Sequence, residues 1–163
     1  MPSSGILKKF ISVETAAEMR EAVLREAETC RIVIKAAAVA DYRPKSVSEH
    51  KIKKNDEELS IKLEKNPDIL RELGQKKRPG QILVGFAAET QNLLQYAQEK
   101  MEKKNLDFIV ANDVTKPGAG FNTATNLVKI ISRNGDIENV PMMTKREIAK
   151  RIFDRVLPKQ KRI

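Results

Sequence analysis

The run Ile32-Val33-Ile34, followed by Ala36, Ala37, Ala38 and Ala40, constrains this chain more than any other stretch. Three successive β-branched apolar residues make a strand of the kind buried on both faces, and the alanines remove side-chain bulk where that strand ends. In an open α/β sheet, ligands lie outside the carboxyl ends of the strands, so a small-residue turn there lets a ligand reach the backbone. One carboxylate, Asp41, follows; Pro44 fixes the exit of the chain, and Lys51, Lys53 and Lys54 supply cations on a segment with no strong period. The simplest physical reading of residues 31–54 is a pocket floor with a basic flap.

The same arrangement recurs. Residues 82–86 read as a second buried strand running into Gly85-Phe86-Ala87-Ala88-Glu89-Thr90, again small residues with one carboxylate, and residues 108–111 read as a third, ending at Asn112 and Asp113. Helices separate them. The first starts at Thr15, which has capping-box spacing to Glu18, carries Ala16, Met19, Val23 and Ala27 on one face, and ends near Cys30, read as a small buried hydrophobe. The second has Asn66 as its N-cap, Pro67 in first position, Ile69, Leu70 and Leu73 as its apolar face and Gly74 as its stop. Its N-terminal amides also suit a phosphate or a base edge. The third puts Leu93, Leu94, Ala97 and Met101 toward a core, with Lys100, Lys103 and Lys104 near its end, where cations complement the helix dipole.

Between the lysine segment and the second helix, Leu59, Ile61 and Leu63 alternate with polar residues, the pattern of a strand with one wet face. Asn134-Gly135 joins residues 126–132 to 137–140 as a hairpin. The last helix begins at Thr144, with Glu147 as its capping-box partner, and buries Ile148, Ile152 and Val156. Strands alternating with helices predict a parallel sheet layered with helices, in one domain over residues 1–163.

Thirty-one Lys and Arg against twenty-two Asp and Glu give a formal charge of +9, which favours anionic partners. Aromatic residues are sparse and Trp is absent, which argues against a base-stacking surface and moves anionic metabolites ahead of nucleic acid. No apolar run approaches the ~20 residues of a membrane span, and the N-terminus lacks the apolar core of a secretory signal, so a cytoplasmic protein is expected. A lone Cys30 and a lone His50 supply neither a disulfide framework nor a Cys/His zinc set. The glycines at 118 and 120 lack the spacing of a dinucleotide fingerprint, and there is no Walker-type loop.

Ala-Ala-Val-Ala-Asp-Tyr-Arg-Pro, Lys-Ile-Lys-Lys, Lys-Asn-Pro-Asp-Ile, Gly-Phe-Ala-Ala-Glu-Thr, Lys-Asn-Leu-Asp and Ala-Asn-Asp-Val occur here in order, over residues 12–158. In this order and spacing they closely resemble phosphopantothenoylcysteine synthetase, the ligase domain of the bacterial bifunctional coenzyme A biosynthesis flavoprotein. The resemblance implies an α/β, three-layer Rossmann-like fold with a mainly parallel sheet and a C-terminal β-hairpin. It implies a cytoplasmic, homodimeric ligase that joins 4′-phosphopantothenate to cysteine with CTP and Mg²⁺, through an acyl-cytidylate, and that is fused to or works beside a flavin-dependent decarboxylase. By the same resemblance, Lys35, Ala36, Ala37, Asp41, Pro67, Asp68, Ile69, Leu70, Phe86, Lys100 and Lys104 bind the nucleotide, and Lys51 both binds it and assists formation of the acyl-cytidylate.

Family members also carry an N-terminal strand with Gly-Pro-Thr and Asn-x-Ser-Ser-Gly-Lys-Met-Gly elements. Ser3-Ser4-Gly5 is not followed by Lys-Met-Gly, so this sequence is expected to begin about fifty residues into the family domain and to be incomplete for the full reaction. The alternative from another class is a noncatalytic basic α/β module that binds nucleic acid or a protein partner.

Overall fold

The computed structural model describes residues 9–46, 48, 50, 60–89, 93–113 and 123–157. Its elements, in chain order, are α1 (Ala16–Ala27), β1 (Ile32–Lys35), β2 (Tyr42–Pro44), β3 (Leu63–Lys65), α2 (Ile69–Gln75), β4 (Ile82–Glu89), α3 (Leu93–Lys103), β5 (Phe108–Asp113), β6 (Thr125–Ser132), β7 (Ile137–Thr144) and α4 (Lys145–Val156). They divide into two compact units, one of residues 1–28 and 38–69, the other of residues 29–37 and 70–163.

The larger unit is an α/β unit built on a five-stranded sheet in the order β1-β4-β5-β6-β7. β1, β4 and β5 run parallel, with Ile32 opposite Ile82 and Val84 opposite Phe108, and the β6–β7 hairpin completes the sheet antiparallel. Gly135 has a φ of +91°, the left-handed conformation that the hairpin turn needs and that glycine accepts without strain. Strand alternation then sorts the core. Val84, Val110, Val128, Ile130 and Val140 meet Ile148, Ile152 and Val156 of α4, whose i, i+4, i+8 spacing makes one apolar stripe. Leu83, Ile109, Ala111 and Ile131 are also buried. At Gly85 a Cβ would lie 2.7 Å from a Leu106 methyl and 3.0 Å from one of Leu70, so glycine here admits both leucines onto the strand.

The smaller unit holds α1 and a two-stranded antiparallel ribbon, β2 with β3. Thr15 caps α1 by accepting from the Glu18 amide at 3.1 Å, while Glu18 reaches back to the Glu14 amide at 2.8 Å.

Several expectations are corrected. β1 is half-buried throughout because, among the described residues, it lies at the edge of the sheet, not within it. Cys30 is exposed, in the turn between α1 and β1. Ala22, not the expected stripe, is the buried residue of α1. Ile61 and Leu63 are exposed, and β3 is only three residues long. Leu94 is exposed as well, leaving Ala97 and Met101 as the described core residues of α3. Gly74 does not take the left-handed C-cap conformation; a Cβ there would sit 2.0 Å from the Lys104 carbonyl oxygen, so it permits close backbone approach instead. Asn66 does not cap α2, which begins at Ile69. Leu59, the flap lysines Lys51, Lys53 and Lys54, the loop with Gly118 and Gly120, and the basic tail after Leu157 lie outside the described residues.

Candidate functional site

The alanine turn follows β1 directly. Lys35 ends the strand, and its ammonium donates to the Ala37 carbonyl at 3.0 Å, so a cation is folded back onto the turn that its own strand feeds. Ala36 and Ala37 are exposed, which leaves their backbone within reach of a ligand. At the neighbouring strand, the Lys100 ammonium donates to the Phe86 carbonyl at 2.8 Å and is half-buried. This differs from a solvated helix-end cation: Lys100 is tied to β4, whereas Lys103 is exposed and pairs with Glu99 one turn away, at 3.4 Å. The Phe86 ring packs against the valine and isoleucine core. Lys104 is half-buried, and its carbonyl is the atom that excludes a side chain at Gly74. Leu70 is buried, so only its backbone is available to a ligand.

In the smaller unit, Asp41 and Asp68 are exposed, Pro67 is half-buried and Ile69 is buried. Asp41 precedes β2, and Pro67 follows β3 by one residue; because β2 pairs with β3, Tyr42 stands opposite Lys65 and the two segments leave the ribbon side by side. Asn66 joins them. Its amide donates to the Asp41 carbonyl at 2.8 Å, and its side-chain nitrogen donates to the Ala40 carbonyl at 2.9 Å. The sequence gives Asn66 a capping role, whereas in the structure its side chain bonds the Ala40 carbonyl instead. Lys51 lies outside the described residues, and no group of three His, Cys, Asp or Glu side chains that could hold a metal occurs among the described residues. His50 is exposed, and its carbonyl accepts from the Ser48 hydroxyl at 2.6 Å.

Comparison with known proteins gives a consistent answer. The chain is 50% identical over 150 residues to the coenzyme A biosynthesis bifunctional protein CoaBC of Bacillus subtilis, covering 92% of this chain and 37% of that one. It is 39% identical over 160 residues to the corresponding protein of Escherichia coli, covering 96% of this chain and 39% of that one. The chain thus spans well under half the length of these curated relatives. Among solved structures, the C-terminal domain of a CoaBC protein superposes with a TM-score of 0.72 at 39% identity, over 90% of this chain and 63% of that one. A DNA/pantothenate metabolism flavoprotein from Streptococcus pneumoniae, 22% identical, shares the fold with a TM-score of 0.70, over 88% of this chain and 70% of that one. The family model for the DNA/pantothenate metabolism flavoprotein C-terminal domain matches residues 3–159, and the chain belongs to that family.

Proposed function

We propose that this chain carries the CTP-binding part of a ligase that joins 4′-phosphopantothenate to cysteine in coenzyme A biosynthesis. The observation that carries the reading is the exposed alanine turn at the carboxyl end of β1, closed by Lys35 onto the Ala37 carbonyl, in a chain 50% identical over 150 residues to part of a CoaBC protein. In this reaction the phosphopantothenate carboxylate attacks the α-phosphorus of CTP and releases pyrophosphate. The cysteine amine then attacks the acyl carbon and releases CMP. Both reactants are anionic, so the cations Lys35, Lys51, Lys100 and Lys104 serve to bring them together and to stabilise charge on the phosphoryl oxygens. Ala36, Ala37, Pro67, Asp68, Ile69 and Leu70 would bind through backbone and cap atoms, Phe86 through the wall it forms, and Asp41 by accepting a hydrogen bond. Magnesium is usually held by one or two carboxylates plus substrate phosphates, so it would enter with the triphosphate, where it supplies charge neutralisation.

A homodimer belongs to the same reading. Tyr42, Pro44 and Leu63 share one face of the β2–β3 ribbon with Lys65 and are exposed, while Arg43 and Glu64 form an ion pair at 2.8 Å on the other. An isolated two-stranded ribbon is marginal in water, and a second copy would cover that apolar face. Sedimentation equilibrium should give a dimer for the wild type and a monomer for Leu63→Lys; a wild-type monomer would remove this part of the reading.

Calorimetric titration with Mg-CTP, Mg-ATP and a short single-stranded DNA at two salt concentrations tests the nucleotide assignment. Saturable binding of CTP in preference to ATP is the expected result. Binding of DNA alone, with a steep loss in salt, would instead support a basic nucleic-acid module.

A further inference from the structure

Asn66 is used twice and left unsatisfied once. Its backbone amide extends the ribbon ladder by one step to the Asp41 carbonyl, and its side-chain amide extends it by another to the Ala40 carbonyl. The Ala40–Pro67 step is a non-hydrogen-bonded position of that ladder, so the side-chain bond is one the backbone alone would not make. The cost is visible in the same side chain: the Asn66 Oδ1 is buried without a hydrogen-bond partner among the described residues. A buried amide oxygen left without a donor is unfavourable, and such exceptions in folded proteins call for an explanation. Ala38, Ala40 and Asp41, the turn to which Asn66 is tied, are all exposed. What Asn66 does provide is a fixed backbone for the segment from which the Asp41 carboxylate projects.

We propose that Asn66 is a positioning residue for the nucleotide, holding the backbone at Ala40 and Asp41 so that the Asp41 side chain is preset for its ligand. The proposal rests on the CTP-binding reading above. Asn66 acts through Asp41, and this distinguishes it from a residue that merely keeps the ribbon folded. If the bond to Ala40 is lost, the turn gains freedom that must be removed on binding, and affinity falls by that amount.

A double-mutant cycle over Asn66→Ala and Asp41→Ala, read by titration with Mg-CTP, tests this. Each single variant should bind about tenfold more weakly, equivalent to about 1.4 kcal/mol. The double variant should be no weaker than the worse single one, because the position of an absent carboxylate no longer matters. Urea midpoints measured on the same preparations separate folding from binding. Unchanged affinity in Asn66→Ala, or additive losses near a hundredfold, would overturn the proposal. If Asn66→Ala does not fold, Asn66→Asp keeps the size and the ladder amide but lacks the donor to Ala40, and the same coupling to Asp41 is expected. A wild-type chain that binds no CTP would reject the nucleotide reading itself, and this inference with it; wild-type binding with no effect at Asn66 rejects this inference alone.

Discussion

Asp107 does more for this fold than its place in a loop suggests. Its two carboxylate oxygens accept from the Lys77 ammonium at 2.9 and 3.1 Å, and one also accepts the Leu83 amide at 2.7 Å. Lys77 donates further to the Asn105 carbonyl, and Asn105, at a φ of +50°, donates its side-chain amide to the Gly74 carbonyl. Arg133 closes the cluster on the Leu106 carbonyl and the Asn105 side-chain oxygen. Asp107→Asn should therefore cost about 1–3 kcal/mol, since it leaves a half-buried lysine short of its charge partner, and a lowered urea midpoint at unchanged slope would verify this. Gly74→Ala should cost at least as much, because the clash is with the backbone oxygen of Lys104 and no rotamer relieves it; thermal unfolding reads the loss. The Lys-Asn-Leu-Asp motif was visible in the sequence, but this reason for it was not. Lys77 and Arg133 come from distant segments, and nothing in local spacing couples them to Asp107. The site residues divide the same way: the alanine turn could be read from side-chain size alone, whereas the tie from Lys100 to Phe86 needs two elements in register.

Among the elements, α4 is the one whose sequence says nearly everything. Thr144 accepts from the Glu147 amide at 3.3 Å, and Glu147 returns bonds to the Thr144 amide and hydroxyl at 2.9 and 2.7 Å. Thr144→Ala should lower stability by about 1 kcal/mol, measured by chemical denaturation. The Thr144 side chain, and after it the Thr144 amide, hold the Glu147 carboxyl below the ordinary glutamate value. A folded-state pKa below the unfolded one gives stability that is present above the unfolded value and lost as pH falls through the folded one. Glu147→Gln should therefore be the less stable protein at neutral pH, with the difference from wild type closing as acid protonates Glu147; pH-dependent denaturation curves for the two proteins should converge. Local signals suffice for α4 because cap, stripe and length agree within one segment. They fail for β1 and β3, whose apolar residues look like core strands. Whether such a residue is covered depends on where its strand lies in a sheet, and strand order is not a local property.

At the scale of the molecule, protection should follow that strand order. Val84, Ile109, Val110, Ala111 and Ile130 have no solvent exposure, and β4, β5 and β6 are each paired on both sides. β1 is paired only with β4 among the described residues, so in a parallel ladder about every second one of its amides faces the free edge. The ribbon pairs only Tyr42 with Lys65, Arg43 with Glu64 and Pro44 with Leu63 as strand residues among the described ones, with one further backbone bond at each end. Regions with few buried apolar contacts and exposed backbone bonds open at lower free energy than a core. Native-state hydrogen exchange should therefore rank β5 and β4 slowest, β1 intermediate and the β2–β3 ribbon fastest. Adding Mg-CTP discriminates further. If the nucleotide rests on the turn braced by Asn66, the amides of Asn66 and of β2, which exchange by local opening without ligand, should slow by up to the linkage factor 1 + [L]/Kd. Core amides that exchange only by global unfolding slow with any ligand of the folded state and do not discriminate; unchanged rates at Asn66 and β2 beside slowing at β1 would shift the contact to the alanine run after Lys35. The ribbon, expected to exchange fastest, is thus where nucleotide binding should leave its clearest mark.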